Sequence, residues 1–315
     1  MSSRWATLIR VVAPAALCLL LSGATQPAPV LALLGDVMVG RGLAQRLESP
    51  QIVWGQLLPW LAGSDLALAN LESPLSDAPA RGGRRFILCA PPGRAAFLAG
   101  SGLDILNLEN NHRLDCGAPG AAQTGAALDS AGLGALAAET QPLYRHLAGL
   151  RLAFVTADGS ESPLDEAGLL AQVRTARASA ALVIVSLHWG QEYQSVPGAG
   201  QRRLAQRLAQ AGAALIWGHH PHVLQPVEWL PGASGCTPVV YSLGNALFDA
   251  TGLEDTRRSA LLVVRLGPGG VAALSAFPFR IDPRRGQVQM LSETEAAPVR
   301  QRLGMESATT YPACK

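Results

Sequence analysis

Ala214-Leu215-Ile216-Trp217-Gly218-His219-His220-Pro221-His222 decides the fold. Its apolar run reads as a strand, and three histidines follow at the strand's end. An α/β sheet builds a site in this way, by delivering side chains from the ends of strands that are far apart in the chain. The same pattern recurs on either side. Leu182 to Leu187 is the most β-branched run, predicts a central strand, and ends on His188-Trp189-Gly190. Asp104 to Leu108 delivers Asn110-Asn111-His112 with Asp115, and Leu66 to Ala69 exits into Asn70-Leu71-Glu72. Val30 to Leu34 reads as the first strand, with Asp36 just past its end. Five of the six histidines fall inside three of these blocks; His146 stands apart and reads as a surface residue.

Helix-period segments alternate with these runs, which points to an α/β architecture rather than repeats. Leu43 to Glu48, Trp54 to Leu61, Arg94 to Leu98 and Ala121 to Ala131 are expected to be helical. Asp165 is expected to cap a helix running to Ala178, and Pro197 to open another through Ala211. A polar loop, Arg81 to Arg85, feeds an expected strand at Phe86 to Cys89, closed by Pro91-Pro92. Arg151 to Ala157, Val239 to Ser242, Ala260 to Leu266 and Ala272 to Phe279 complete the expected strands. No linker divides the chain, so residues 28–292 are expected as one domain and 293–315 as a loose polar tail.

Half the residues are apolar, and 315 residues suffice for a substantial core. The formal net charge of +2 argues against a dedicated nucleic-acid binder. Lys315 is the single lysine among 25 basic residues, a bias in composition rather than a sign of phosphate-reading arginines. Arg4 and Arg10, the apolar Val11 to Leu21 and the small Ser22-Gly23-Ala24 read as a signal peptide over residues 1–24. Export to the periplasm or cell envelope is therefore expected, either as a cleaved protein or anchored through an uncleaved leader. Cleavage would leave Cys89, Cys116, Cys236 and Cys314, which allow three pairings; Cys236 with Cys314 is favoured because neither lies in a motif or core strand.

Each block has a bland alternative when taken alone. Asp36 could cap a turn, Arg41 could pair with Asp36 or begin the next helix, and Asn70 could cap a turn. Together the blocks are harder to dismiss. His220-Pro221-His222 can bring two imidazoles to one metal centre, with the proline fixing φ between them. Asn111 offers a neutral carbonyl oxygen, and the neighbouring His112 is free to act as an acid or charge stabiliser. His219 is either a residue supporting the ligands or a donor to a phosphate-like oxygen. Tyr241 to Asn245 with Phe248 and Asp249 either lines the site or only shapes the fold, and Trp189 with Tyr193 either walls a pocket or packs on helices. Asp36, Glu72, Asn111, His188, His220 and His222 form an oxygen and nitrogen set without thiolate, larger than a closed four-ligand zinc site. Two ions roughly 3.5–4 Å apart, bridged by a carboxylate, would serve hydrolysis.

In this order the blocks resemble the CapA or poly-γ-glutamate capsule synthesis family, whose fold is similar to that of calcineurin-like metallophosphoesterases. The matching stretches are Gly35 to Arg41, Asn70 to Leu75, Asn110 to Asp115 with Gly117, Gly120 and Thr124, Ser186 to Gly190 with Glu192-Tyr193, Gly218 to Val223 with Gln225-Pro226, and Tyr241 to Asn245. The resemblance implies a four-layer α/β/β/α sandwich and two divalent ions, manganese, iron or zinc. Asp36 looks like the first-strand ligand, Asn111-His112 like the asparagine–histidine pair, and His188, His220 and His222 like the other imidazole ligands. Glu72 stands where a bridging aspartate is usual. Met38 occupies the place of a histidine ligand, which implies one weaker metal position, and Glu109 replaces the small residue usual before Asn110. His112 and Asp115 are the expected catalytic pair, and Arg41, Asn70, Asn110, His219 and Asn245 the expected substrate contacts. The expected substrate is an anionic envelope polymer or a phosphoester, with membrane-bound capsule synthesis components as partners. A non-catalytic assembly or export factor using the same cleft is the alternative.

Overall fold

The computed structural model describes residues 28–314 apart from 84, 85, 234, 250, 251, 306 and 313, so the expected leader lies outside the described residues. The strands are β1 (Val30–Val37), β2 (Leu66–Leu71), β3 (Ile105–Asn107), β4 (Gly134–Leu136), β5 (Leu143–Leu147), β6 (Leu150–Asp158), β7 (Leu182–His188), β8 (Ala213–His219), β9 (Val227–Gly232), β10 (Gly235–Val240), β11 (Asn245–Leu247), β12 (Arg258–Gly267), β13 (Gly270–Asp282), β14 (Gln287–Met290) and β15 (Thr309–Thr310). The α-helices are α1 (Pro50–Trp54), α2 (Leu58–Ala62), α3 (Arg94–Gly100), α4 (Gly117–Ser130), α5 (Glu166–Ser179), α6 (Ala199–Ala211) and α7 (Glu293–Arg302).

Two mixed sheets form. One runs β14-β13-β12-β1-β2-β3-β4, with β11 beside β1 and β15 beside β13; the other runs β5-β6-β7-β8-β10-β9. The pairs β1–β2, β2–β3 and β3–β4 are parallel, as are β6–β7, β7–β8 and β8–β10, so each sheet gathers its strand ends on one side.

Strand alternation sorts side chains into three cores. Leu31 and Leu33 of β1 meet Phe154, Ile184 and Trp217 between the sheets. Ala32 and Leu34 face the opposite way, towards Trp54, Leu61, Leu98 and Leu128 of the first helical layer. Val155, Val183 and Val185 face Leu170, Val173, Leu204 and Leu208 of α5 and α6. The result is the four-layer α/β/β/α sandwich.

Several elements depart from expectation. β1 runs on to Val37, so Asp36 lies inside the strand rather than past it. Phe86 to Cys89 is not a strand; the segment is irregular and joined only by a bridge between Leu75 and Ala90. The Leu88 amide is met by the Asp115 carboxylate instead of by a ladder. The segment after Ser292 is no loose tail: Ser292 and Glu295 form a capping box on α7, and Val299 and Leu303 enter the core between the sheets. Cys314 then bonds Cys236, the favoured pairing, with a Cα separation of 5.7 Å. Cys89 and Cys116 make a second disulfide at 6.2 Å. The strand expected at Val239 to Ser242 ends at Val240, and the helix expected from Pro197 begins at Ala199. His146 is exposed on β5, as expected.

Candidate metal centre

Parallel register builds the site. Asp36 is the cross-strand partner of both Asn70 and Asn245, while on the other sheet Asp158, His188 and His219 form a row. The two rows meet across the mouth of the sandwich. Asn70 donates through Nδ2 to Asp36 Oδ1 at 2.9 Å and to Glu72 Oε1 at 3.2 Å, and its Oδ1 accepts from Asn107 at 2.8 Å and Asn110 at 3.2 Å. Asn70 is thus the internal strut of the site.

A first group consists of Asp36, Glu72 and His222, all buried, with one potential ligand atom from each within 4.8 Å of the others. Asn245 donates through Nδ2 to the Thr256 carbonyl at 3.0 Å, so its Oδ1 accepts from His222 Nδ1 at 2.9 Å. Asp36 Oδ2 lies 3.1 Å from that same nitrogen but has no hydrogen-bond donor, and Glu72 Oε2 has none either. Buried carboxylate oxygens without donors are costly, and a cation is the natural partner. Committing His222 Nδ1 to Asn245 leaves Nε2, 3.9 Å from Glu72 Oε2, as the atom for a metal.

A second group adjoins the first. His188 Nε2 lies 3.0 Å from Asn111 Oδ1, 3.1 Å from His220 Nδ1 and 3.7 Å from Glu72 Oε1. Three potential ligand atoms and the other oxygen of Glu72 therefore converge beside the first group. His220 and His222 both take left-handed backbone, with φ of 95° and 57°. For residues with side chains such conformations cost about 1–3 kcal/mol and cluster at functional sites.

The electrostatics is polarised. Burial would raise the Asp36 carboxyl, but the imidazoles of His219 and His222 outweigh it and hold it well below the usual carboxylate range. Burial and the Asp36 charge push Glu72 well above that range. Burial would lower His222, yet Glu72 and Asp36 raise it to about 10. Burial and the positive charge of neighbouring imidazoles lower His188 and His220, and burial lowers His219 despite Asp36. With Asp36 kept ionised, Glu72 and His222 thus favour their protonated forms where a dication could stand.

The remaining expected residues take separate places around this centre. His112 Nδ1 donates to Asp115 Oδ2 at 2.9 Å, and that oxygen also accepts from the Leu88 amide at 2.8 Å. Asn110 is turned inward to Asn70 and the Leu71 carbonyl, so it braces the site. His219 supports Asp36, with Nδ1 at 3.5 Å from Oδ1 and Nε2 at 3.2 Å from Ser186 Oγ. Arg41 does not pair with Asp36; its guanidinium lies 3.5 Å from Asp249 and over the Phe86 ring. Trp189 is buried and donates to the Tyr241 carbonyl, while Tyr193 is exposed near His222. Asn107 and Ser73 were not anticipated. Asn107 orients Asn70, and Ser73 Oγ accepts from the Val39 and Gly40 amides at 3.0 and 3.2 Å. A polar residue inside an apolar strand run was the available signal for Asn107.

The sequence model described as bacterial capsule synthesis protein PGA_cap matches residues 30–250. The chain belongs to this family. A capsule biosynthesis protein CapA of Bacillus anthracis is 32% identical over 80% of this chain and 67% of its own length. A PGA biosynthesis protein CapA of Bacillus subtilis is 29% identical over 79% and 70%. A probable polyglutamine synthesis accessory protein of Mycobacterium tuberculosis is 27% identical over 86% and 90%. The crystal structure of a hypothetical protein from Thermus thermophilus superposes with a TM-score of 0.55 at 18% identity, covering 80% of this chain and 99% of that one, and shares the fold. In this PGA_cap member, Asp36, Glu72, His188, His220 and His222 all lie within the matched span.

Proposed function

We propose that this PGA_cap protein is an exported hydrolase of capsule or poly-γ-glutamate biosynthesis with a two-metal centre. The observation that carries the proposal is the pair of adjoining donor groups that share Glu72, with buried carboxylate oxygens lacking any donor. Asp36, Glu72 and His222 would hold one divalent ion, and Glu72, Asn111, His188 and His220 the other. The donor set fits manganese, iron or zinc, being oxygen and imidazole without thiolate. When bound, such ions polarise the scissile group and lower the pKa of water. The chain supplies the rest. With Nδ1–H fixed on Asp115, the Nε2 of His112 is the ring atom that would accept a proton and return it to a leaving group. Arg41 offers the remaining faces of its guanidinium to a carboxylate or phosphate of the substrate.

Relatives named for capsule, PGA and polyglutamine synthesis point to an anionic envelope polymer as the substrate, with membrane-bound synthesis components as partners. The two disulfides support an oxidising compartment such as the periplasm or cell envelope. Among the described residues no helix is long and apolar enough to cross a membrane. A second reading, a non-hydrolytic factor that holds the polymer for assembly or export in the same cleft, is favoured by the relatives named for synthesis. Metal content and turnover of a γ-glutamyl oligomer and of bis(p-nitrophenyl) phosphate, measured for the wild type, Asp36→Ala and His222→Ala, test both. The wild type is expected to hold about two ions and to turn over one substrate. Metal-dependent polymer binding without turnover selects the assembly factor, and a metal-free wild type in supplemented buffer refutes the centre.

A further inference from the structure

The irregular segment Phe86–Ala90 crosses three of the loops that carry the site. It meets the turn after β1 where Gly40 packs against it, since a Cβ there would stand 2.3 Å from the Leu88 carbonyl oxygen and 2.7 Å from that of Cys89. It meets the loop after β2 through the Ser76 and Ala90 amides, which donate to the Ala90 and Pro74 carbonyls at 2.7 and 2.8 Å. It meets the loop after β3 twice. The Leu88 amide donates to Asp115 Oδ2, the oxygen that also accepts from His112 Nδ1, and the next residue, Cys89, is bonded to Cys116, the residue after Asp115.

We infer that the Cys89–Cys116 disulfide is a positioning device for the His112–Asp115 pair, locking the Leu88 amide onto the carboxylate that orients the imidazole. Two adjacent residues of the strap grip two adjacent residues of the catalytic loop, one by a hydrogen bond and one covalently. Without the bond the amide and the carboxylate are held together only by loops, and segments with little regular structure open locally at low cost. Cys236–Cys314 is different, because it ties the C-terminal segment to β10, away from this loop. Reduction by a dithiol would transfer two electrons and two protons to the S–S bond, yielding two thiols while the dithiol closes to its own disulfide. The positional claim stands by itself; the consequence for turnover rests on the hydrolytic reading.

The test compares full-length Cys89→Ser/Cys116→Ser with Cys236→Ser/Cys314→Ser by amide hydrogen exchange, His112 imidazole NMR, metal content and, where the wild type turns over substrate, kcat and KM. The first variant is expected to exchange at least about tenfold faster across 86–90 and 110–117 and to shift the His112 ring signals. Its kcat is expected to fall roughly 10- to 100-fold with KM nearly unchanged and metal retained, as for a group misplaced by about an ångström. The second variant is expected to change none of these in that loop. Should the first variant fail to fold, the Cys236→Ser/Cys314→Ser protein treated with dithiothreitol, in which Cys89–Cys116 is the remaining disulfide among the described residues, supplies the comparison with its own untreated form. Unchanged exchange and His112 signals on loss of Cys89–Cys116, or the same change on loss of Cys236–Cys314, would overturn the inference. An inactive wild type with the expected exchange and NMR changes would refute the hydrolytic reading alone.

Discussion

Gly35→Ala should part β1 from the turn before β11, within the row that carries Asp36 and Asn245, without replacing a ligand. A Cβ at residue 35 would stand 1.9 Å from the Gly244 carbonyl oxygen and 3.0 Å from its carbon, both backbone atoms. The strand and the turn before β11 would have to part by about 1.5 Å to reach ordinary contact. That movement breaks the 2.9 Å bond from the Asp36 amide to the Gly244 oxygen. A buried amide left unpaired costs about 1–3 kcal/mol, and overpacking adds about 1–3 more. The sum, roughly 2–6 kcal/mol, corresponds to a melting temperature lowered by roughly 3–10 °C in a domain of this size. Asp36 and Asn245 sit on the two sides of the opening, so metal affinity is expected to weaken about 10- to 100-fold as well. Calorimetry with and without a saturating divalent ion reads both effects. Gly82→Ala, where a Cβ meets nothing within 4 Å, is the control. A Gly35→Ala protein that melts within about 2 °C of the wild type and keeps its metal affinity would refute the account of how β1 positions Asp36.

Metal binding is expected to release protons, because Glu72 is raised by burial and Asp36, and His222 is raised to about 10. Both must lose their protons to serve as ligands, so affinity should rise with pH across the neutral range; a binding enthalpy independent of the buffer's ionisation enthalpy would contradict this. Asp115→Asn keeps the shape of the carboxylate but removes the charge that fixes His112. Its kcat should fall about 10²- to 10⁴-fold with metal content unchanged, which single-turnover assays and metal analysis would check. Removing Cys236–Cys314, which closes a span of 78 residues, should cost about 4 kcal/mol of stability, measurable by denaturant titration.

The strand ends were legible because burial and chemistry conflict there. An apolar run that stops on Asp36, Glu72, Asn111, His188 or His220 has no reason to do so unless something is built at its edge. Less was visible where the determinants are non-local. Phe86 to Cys89 has the composition of a strand, but Cys116, the Asp115 carboxylate and the turn at Gly40 hold it, and none of these is a neighbour in sequence. The α7 region reads as polar because most of its residues are charged or polar, while the buried apolar side chains are Ala296, Val299 and Leu303, joined by Arg300, with Pro298 interrupting the pattern. Its capping signal, Ser292 with Glu295, was the local clue. The β5–β6 hairpin turns at Ala148-Gly149, with φ of 44° and 80°. Alanine there conceals a turn that asparagine would have announced.

The site's cost marks it as built for function. Asp36 and Glu72 are wholly buried, like-charged when ionised, and close enough that one raises the other. Transfer of an ion from water into a protein interior costs several kcal/mol, and a fold gains nothing from two carboxyls that an apolar pair would not give more cheaply. The strut of Asn70, Asn107 and Asn110 satisfies one oxygen of each carboxylate and leaves the others open. A network meant only to hold the sheets together would satisfy them all. The open oxygens point instead to a partner from outside the chain, and the imidazoles of His188, His220 and His222 beside them make a divalent cation the chemistry that fits.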